Sequence, residues 1–448
     1  MTLTDLRRKI EAREASIGVI GLGYVGLTVA CALADVGFRV VGVEIKPDRV
    51  QQINAGRSPI EGHEPGLAEL IARITASGWL RATTAYDDLR SCEVVFINVE
   101  TPVDDDHVPH FEALKAACRS LGPALKDGAL VIVESTITPG TMDRLVQPLL
   151  IEATGRWLSE GFYLGHCPER VMPGKLLANL RGLSRVCGGS TPETAETMMA
   201  LYRTIVHAEL DASDCVTAEL VKTAENAYRD VNIAFANELA LVCEATGGDF
   251  LRVRELVNKS PGRNVLLAGA GVGGHCIPKD PWLLVYSAGD EVPLQLVPSA
   301  RAVNDAMPGH VAKLIEQGLA RHGHTMAGAR VVVMGYAYLE NSDDTRNSPS
   351  AVLIGTLKNR GAEVVVHDPY VPAYAASVEQ LVQGADAVAF VVAHEAYRRL
   401  ALSDLQARMR TPVLVDGRRI FDPRAARAAG FTYLAIGLGL DLGHLTLA

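Results

Sequence analysis

The run Gly271-Val272-Gly273-Gly274-His275-Cys276-Ile277-Pro278-Lys279-Asp280-Pro281 sets one thiol among glycines, with a cation and a carboxylate just downstream. Glycine lets the main chain approach a ligand closely, and a cysteine beside a positive group is held as a nucleophilic thiolate. Taken alone, the run reads equally well as a glycine-rich loop around an inert thiol. Upstream, Lys222, Asn226 and Arg229 recur at i, i+4 and i+7, so on a helix they share one stripe. A polar stripe is often only a solvated side. The mixture of one lysine, one amide and one arginine, rather than alternating Glu and Lys, points to a site. Glu169-Arg170, in an irregular stretch with Pro168 and Pro173, adds a third charged pair, which alone also fits a surface ion pair.

These groups need elements to position them. Ser16-Ile17-Gly18-Val19-Ile20 is an apolar run that ends in Gly21-Leu22-Gly23-Tyr24-Val25-Gly26-Leu27, followed by small and apolar residues at helical spacing. A second apolar run, 39–43, ends on Glu44. In a dinucleotide fold the first glycine makes the turn, the second admits the pyrophosphate and the third allows close helix packing, while the acid takes the adenosine ribose diol. An acid there favours NAD over NADP, whose 2′-phosphate it repels. Further strands are expected over 93–99, ending on Thr101-Pro102, and over 129–133, ending on Glu134-Ser135-Thr136. Ligands sit past the carboxyl ends of such strands, although Thr101 and Ser135 also suit helix caps. From 213 to 247 the pattern predicts one long helix of about 45 to 50 Å. Segment 292–323 reads as mixed and helical. A second doubly wound unit then starts at 330–335, with a helix over 348–359 and strands over 363–367, 387–392 and 413–415. Its first turn, Gly335-Tyr336-Ala337-Tyr338, lacks the three-glycine spacing and should hold something other than a second dinucleotide in the same way. Arg346 and Arg418-Arg419 lie near strand or loop ends, where cations meet phosphate.

The expected fold is therefore α/β: two doubly wound Rossmann-like domains joined by a long helix in a central all-α domain. The blocks are 1–212, 213–322 and 323–448. A chain of 448 residues exceeds one compact core. Its composition, 48% hydrophobic and 21% charged, is that of a soluble globular enzyme. Aromatic residues at 5% and a formal charge of −9 argue against a nucleic-acid partner. The charged start has no apolar core, so it is no signal peptide, and no run approaches a membrane span. The eight cysteines show no Cys-x-x-Cys pair and no zinc-like spacing. A cytosolic, reduced protein without a metal is expected, with most thiols serving as small core hydrophobes.

The motifs Gly21 to Leu27, Glu134-Ser135-Thr136, Lys222 with Asn226, and Gly273-Gly274-His275-Cys276 with Asp280 resemble those of the nucleotide-sugar 6-dehydrogenase family, which oxidises UDP-glucose, GDP-mannose and UDP-N-acetylhexosamines. The resemblance runs from about Ile17 to Phe421, in blocks similar to the family's NAD-binding, central and UDP-binding domains. Cys167 to Lys175 and Arg229 to Glu238 are most similar to the UDP-N-acetyl-D-mannosamine branch. The UDP-glucose branch carries a second glutamate four residues after its first, where this chain has Pro173. Three departures stand out. Leu339 replaces the family's usual lysine, Arg263 is displaced by one, and Glu44 replaces the commoner aspartate.

The resemblance implies two NAD+-dependent oxidations of a sugar C6 alcohol to a carboxylate, the intermediate aldehyde being captured by Cys276 and released by hydrolysis. It implies that Lys222 stabilises the oxyanion at C6 or exchanges its proton, that Asn226 orients the oxygen or a water, and that Asp280 and Glu169 position or activate the hydrolytic water. Thr136 would hold that water or the nicotinamide side. Gly21, Gly23, Tyr24, Val25, Gly26, Glu44, Arg49, Thr101, Glu134 and Arg346 fall to the cofactor. Glu169, Arg170, Val171, Lys222, Asn226, Arg229, Arg263, Gly274 and Arg418 fall to the UDP-sugar, with Arg418 at the diphosphate and Arg263 reaching the sugar from a neighbouring subunit. UDP-GlcNAc, UDP-GalNAc or UDP-glucose remain alternative substrates. A catalytically silent NAD- or UDP-sugar-binding protein is the reading from another class, with Leu339 as its support. A one-step 2-hydroxyacid or sugar-phosphate dehydrogenase would have no role for Cys276. Ile233, Phe235 and Leu239 on the long helix suggest a homodimer.

Overall fold

The computed structural model describes residues 1–60, 62, 64–289 and 291–439; the last residues of the expected third block lie outside them. The described chain divides into two compact units, Met1–Glu225 with Trp282–Val292, and Asn226–Pro281 with Pro293–Ala448.

The first unit is built on eight strands: β1 (Ser16–Ile20), β2 (Arg39–Val43), β3 (Leu80–Thr83), β4 (Val94–Ile97), β5 (Ala129–Val133), β6 (Phe162–His166), β7 (Arg185–Gly189) and β8 (Leu210–Asp214). Their order in the sheet is β3-β2-β1-β4-β5-β6-β7-β8, and only the β6–β7 pair among them is antiparallel. Side chains alternate between the faces of a strand. Val94, Phe96, Leu130 and Ile132 therefore enter one apolar cluster, and Val95, Ile97, Val131 and Val133 enter another. Burial on both faces is what makes these strands read as continuous apolar runs. The strand order reverses between β1 and β4, and that switch point is where a nucleotide binds in such sheets.

The second unit carries β9 (Arg330–Met334), β10 (Glu363–His367), β11 (Ala387–Phe390), β12 (Val413–Asp416) and β13 (Thr432–Ala435), all parallel, in the order β10-β9-β11-β12-β13. Val331 and Val333 face one cluster while Val332 and Met334 face the other. A 25-residue helix, Leu296–Ala320, packs on one face, with Gly318 set against Val413. The long helix, Cys215–Thr246, contributes its residues up to Glu225 to the first unit and the rest to the second.

The expected long helix is two residues shorter at its start, because Ser213 and Asp214 pair with Gly188 and Gly189 as the end of β8. Strands β3, β6, β7, β8 and β13 escape the sequence pattern. The edge strand β8, Leu-Asp-Ala-Ser-Asp, has no fully buried position, so it has no apolar signature to read. Thr101 and Ser135 do not cap helices. Their hydroxyls donate to the carbonyls of Thr136 and Val99, each at 2.5 Å, and so brace the loops beyond β4 and β5.

Candidate active site

The turn after β1 is shaped by close backbone approach. Gly21 has φ +85°, and a Cβ there would lie 2.5 Å from the Asn98 carbonyl. A Cβ on Gly26 would overlap the carbonyl of Gly21. Gly23 meets nothing within 4 Å and opens the helix Tyr24–Asp35, whose first turn has no acid and no side-chain cap. The first amides of a helix have no acceptor within the helix itself, and beside open space such an N-terminus fits a pyrophosphate. Glu44 is buried at the end of β2, where its carboxylate accepts from Leu22 N at 3.2 Å and from Lys46 N at 3.0 Å. Arg49 stands half-buried on the helix Pro47–Asn54 that follows. Tyr24, Val25 and Thr136 are half-buried, and Thr101 is buried.

Beyond β5 and β6 lies a buried polar seam. Arg185, on β7, is almost fully enclosed, with Nη1 2.5 Å from Glu169 Oε2 and 3.9 Å from Glu134 Oε1. Tyr202 donates its hydroxyl to Glu134 Oε1 at 2.6 Å, and its ring lies under the Arg185 guanidinium at 5.3 Å. Burial, reinforced by the charge of Glu169, pushes the Glu134 carboxyl up to about 7, against the pull of Arg185 and Tyr202. Glu169 is therefore not half of a surface pair with Arg170. Its other oxygen accepts from Arg170 N at 2.7 Å, while the Arg170 guanidinium pairs with Glu225 and donates to the Ser184 carbonyl at 2.5 Å. Val171 is half-buried beside them.

On the long helix Lys222 is buried, Asn226 half-buried and Arg229 exposed, so burial falls along the stripe. In the second unit, Asn226 Nδ2 donates to Asp280 Oδ2 at 2.5 Å, and Lys279 Nζ lies 3.3 Å from Asp280 Oδ1. Asp280 is fully buried as the first residue of the helix Asp280–Ala288, and its amide donates to the Cys276 carbonyl at 2.8 Å. Seven of the eight cysteines are buried; Cys276 is exposed. Burial pushes the thiols of Cys92, Cys118 and Cys215 up to about 12, which keeps them unreactive.

The glycines before Cys276 are required by close packing. Gly274 has φ +91°, and a Cβ there would lie 2.8 Å from Tyr338 Cε2. Its amide donates to the Arg346 carbonyl at 2.9 Å, and its carbonyl accepts from Asn347 Nδ2 at 3.1 Å. Arg346 itself pairs with Asp344 at 2.5 Å. Upstream the loop is held by a buried relay. Gly269 N donates to Asn237 Oδ1 at 3.0 Å, Asn237 donates to Asn304 at 2.8 Å, and Asn304 donates to Asp230 at 2.7 Å. Arg301 closes the relay on Asp230 at 2.6 Å.

Arg418 follows β12 and lies across Gly269. It lines a cavity with Gly271, Ala337, Leu339, Ser350 and Val392, at the carboxyl ends of β9 and β11 where this sheet's strand order reverses. The amides of Tyr336 and Ala337 in the turn after β9 donate to Asp368 at 2.7 and 2.8 Å. Burial opposes the Asp368 charge, yet His394 and these amides hold its carboxyl down at about 2. The second Rossmann-like turn thus spends its amides on an internal carboxylate. Arg263 is exposed, with Nη1 donating to the Pro261 carbonyl at 3.0 Å.

Family models match residues 15–206, 216–306 and 332–423 as the NAD-binding, central and UDP-binding domains of the UDP-glucose/GDP-mannose dehydrogenases. The chain belongs to this family. A UDP-N-acetyl-D-mannosamine dehydrogenase of Pyrococcus horikoshii is 37% identical over 94% of this chain and 99% of its own. An NDP-N-acetyl-D-galactosaminuronic acid dehydrogenase of Ralstonia nicotianae is 35% identical over 94% of this chain and all of its own. The solved structure of the Pyrococcus horikoshii enzyme superposes with a TM-score of 0.89, at 36% identity and with 94% and 99% of the two chains covered. That of a UDP-glucose dehydrogenase from Pyrobaculum islandicum superposes at 0.83, at 31% identity and with 94% and 98% covered. The protein is thus an NAD-dependent nucleotide-sugar dehydrogenase, and the Gly23 turn and Glu44 lie within its NAD-binding domain. Among the described residues no helix is long and apolar enough to cross a membrane.

Within this dehydrogenase the sequence reading missed Arg185, Tyr202 and Arg301. No short motif marks them; each becomes meaningful only beside the carboxylate that it faces. Asn237 and Asp230 stood in the helical motif, where spacing assigned them no task.

Proposed function

We propose that this dehydrogenase oxidises the C6 hydroxyl of a UDP-N-acetylhexosamine, UDP-N-acetyl-D-mannosamine before the others, to the carboxylate through a covalent adduct on Cys276. The observation that carries the reading is the exposure of this one thiol, at the end of a glycine loop whose next helix opens on Asp280, itself bonded to Asn226. Support for the sugar comes from the relatives named above and from Pro173, which stands where the UDP-glucose branch has its second glutamate.

NAD+, when bound, accepts the hydride that leaves C6, once from the alcohol and once from the adduct. Cys276 adds to the aldehyde as a thiohemiacetal, which restores a C–H bond from which the second hydride departs. The resulting thioester is cleaved by water, returning the thiol and releasing the acid. Lys222, a buried ammonium, stabilises negative charge on the C6 oxygen. Asn226 and Asp280 orient the oxygen and the hydrolytic water. Glu169, gripped by Arg185, shapes the wall formed by Arg170 and Val171, which with Arg229, Arg263 and Gly274 select the acyl-amino sugar. Arg418 holds the diphosphate. Thr136, Thr101, Glu134 and Arg49 serve the cofactor, and Arg346 serves it by holding the loop before Cys276.

Segments 1–212, 213–322 and 323–448 then bind NAD, dimerise and bind UDP. The dimer is supported by Tyr228, Phe235 and Val242, exposed large side chains at seven-residue spacing on the long helix. The product, an acidic nucleotide sugar, suits polysaccharide assembly in the cytoplasm.

The test is a panel of UDP-ManNAc, UDP-GlcNAc, UDP-GalNAc and UDP-glucose with NADH counted per sugar, in wild type and in Cys276→Ser. Two NADH per sugar from wild type and none sustained from the variant are expected. Two NADH per sugar from the variant would remove the covalent route, and no NADH from any sugar in wild type would remove the substrate assignment.

A further inference from the structure

Glu219 is a fully buried carboxylate that the proposed chemistry does not use. It stands on the long helix, one turn before Lys222. Its Oε2 accepts from Gly140 N at 2.6 Å and its Oε1 from Met142 N at 2.8 Å. Both amides belong to the segment that leaves β5 through Glu134-Ser135-Thr136. The near end of that segment is braced on the β4 loop by Thr101 and Ser135, and its middle is tied to itself, Thr141 Oγ1 donating to the Thr138 carbonyl at 2.6 Å. Gly140, at φ +89°, makes the bend that presents the two amides. All of these residues lie in the first unit.

We propose that Glu219 is a positioning residue for the oxidation: its carboxylate clamps the segment 136–142 to the long helix and so fixes Thr136 relative to Lys222. The inference rests on the roles given to those two residues above. Each oxygen of an ionised carboxylate accepts one amide, and a charge-assisted bond of this kind is short and directional. An amide side chain would put an NH2 against one of the two N–H groups, so glutamine cannot replace it. The titratable groups acting on Glu219 are Asp143, on the clamped segment, and Cys215, on its own helix. Burial pushes the Glu219 carboxyl up to about 7, so near neutral pH part of the population is protonated, with an O–H where the positioning geometry needs an acceptor.

The experiment is Glu219→Gln in the full-length enzyme, with kcat, KM for the UDP-sugar and thermal unfolding followed from pH 6 to 8.5. Wild-type kcat should rise through a limb near pH 7. The variant should lack that limb and turn over about tenfold or more slowly at pH 8, the size expected when a catalytic group is misplaced by a fraction of an ångström. Its KM should stay within about twofold. A variant with wild-type kcat and the same limb would overturn the proposal. If the variant does not fold, the wild type decides through hydrogen exchange of a peptide spanning 134–146. Because the raised pKa means that the closed state binds the proton more tightly than an opened one, protection should rise between pH 8 and 6 relative to the other strands and helices. Such a rise supports the clamp, and unchanged or falling protection overturns it. A wild type that makes no NADH from the sugar panel counts against the function reading alone, because the exchange experiment reads the clamp without turnover.

Discussion

Replacing Gly269 by alanine should weaken UDP binding without replacing any group that contacts the nucleotide, by displacing Arg418. Gly269 has no left-handed φ, so alanine costs it nothing in backbone strain. The new Cβ would overlap Arg418 Nη1 and lie 3.2 Å from Cζ and 3.3 Å from Cδ. Carbon and nitrogen do not approach so closely, and the guanidinium must retreat by about 1 Å or leave its place across the glycine. A hydrogen bond from a charged donor is worth about 1.5–3 kcal/mol, and every 1.4 kcal/mol is about tenfold in affinity. Kd for UDP, by calorimetry, and KM for the UDP-sugar, from NADH absorbance, should therefore rise roughly 10- to 100-fold. The diphosphate is held alike in ground and transition states, so kcat should stay within about twofold. Arg418→Ala should show a comparable rise in KM, and adding Gly269→Ala to it should change little, since the two act through one contact. UDP binding as tight in Gly269→Ala as in wild type would refute both the role of Arg418 and the reading of Gly269.

Three further outcomes follow from particular contacts. Arg301→Met leaves Asp230 buried without its cation and should lower unfolding stability by about 3–5 kcal/mol, read by urea or thermal unfolding; Asp230→Asn on top should recover part of that loss. Asn226→Ala takes the short donor from the fully buried Asp280, at a cost of about 1–3 kcal/mol, and should cut kcat about tenfold or more while UDP affinity measured by calorimetry is unchanged. Glu219 has a folded pKa of about 7, raised above the ordinary 4.5. Its contribution to stability is therefore complete below pH 4.5 and lost as pH rises through 7, on the order of 3 kcal/mol. The stability of wild type relative to Glu219→Gln should decline over that window, and a difference that grows with pH would contradict the assignment.

Much of the site was legible in residue types and spacing. Gly21, Gly23 and Gly26 announce a close backbone approach because few other residues tolerate it, and an apolar run before them with an acid at 44 completes a local pattern of strand, turn and helix. The strands buried on both faces, such as β1, β5 and β9, are continuous apolar runs and can be read directly. The exposed edge strand β8 could not be, and neither could β6 and β7, whose glycines, histidine and cysteine carry no strand signature. Their assignment comes from pairing with neighbours distant in sequence.

What the sequence by itself determined is the set of local devices: the glycine turn after β1, the long helix with Lys222 and Asn226, and the glycine loop ending in Cys276. What only the tertiary structure decided is which charges meet. Glu169 faces Arg185 rather than its neighbour Arg170, Glu219 faces two amides nearly eighty positions away, Asp368 takes the amides of the turn after β9, and Arg418 lies across Gly269. The physical reason is that a buried charge must be compensated by whatever the fold brings within a few ångströms. Sequence spacing encodes the faces of helices and strands, but not the partners those faces meet.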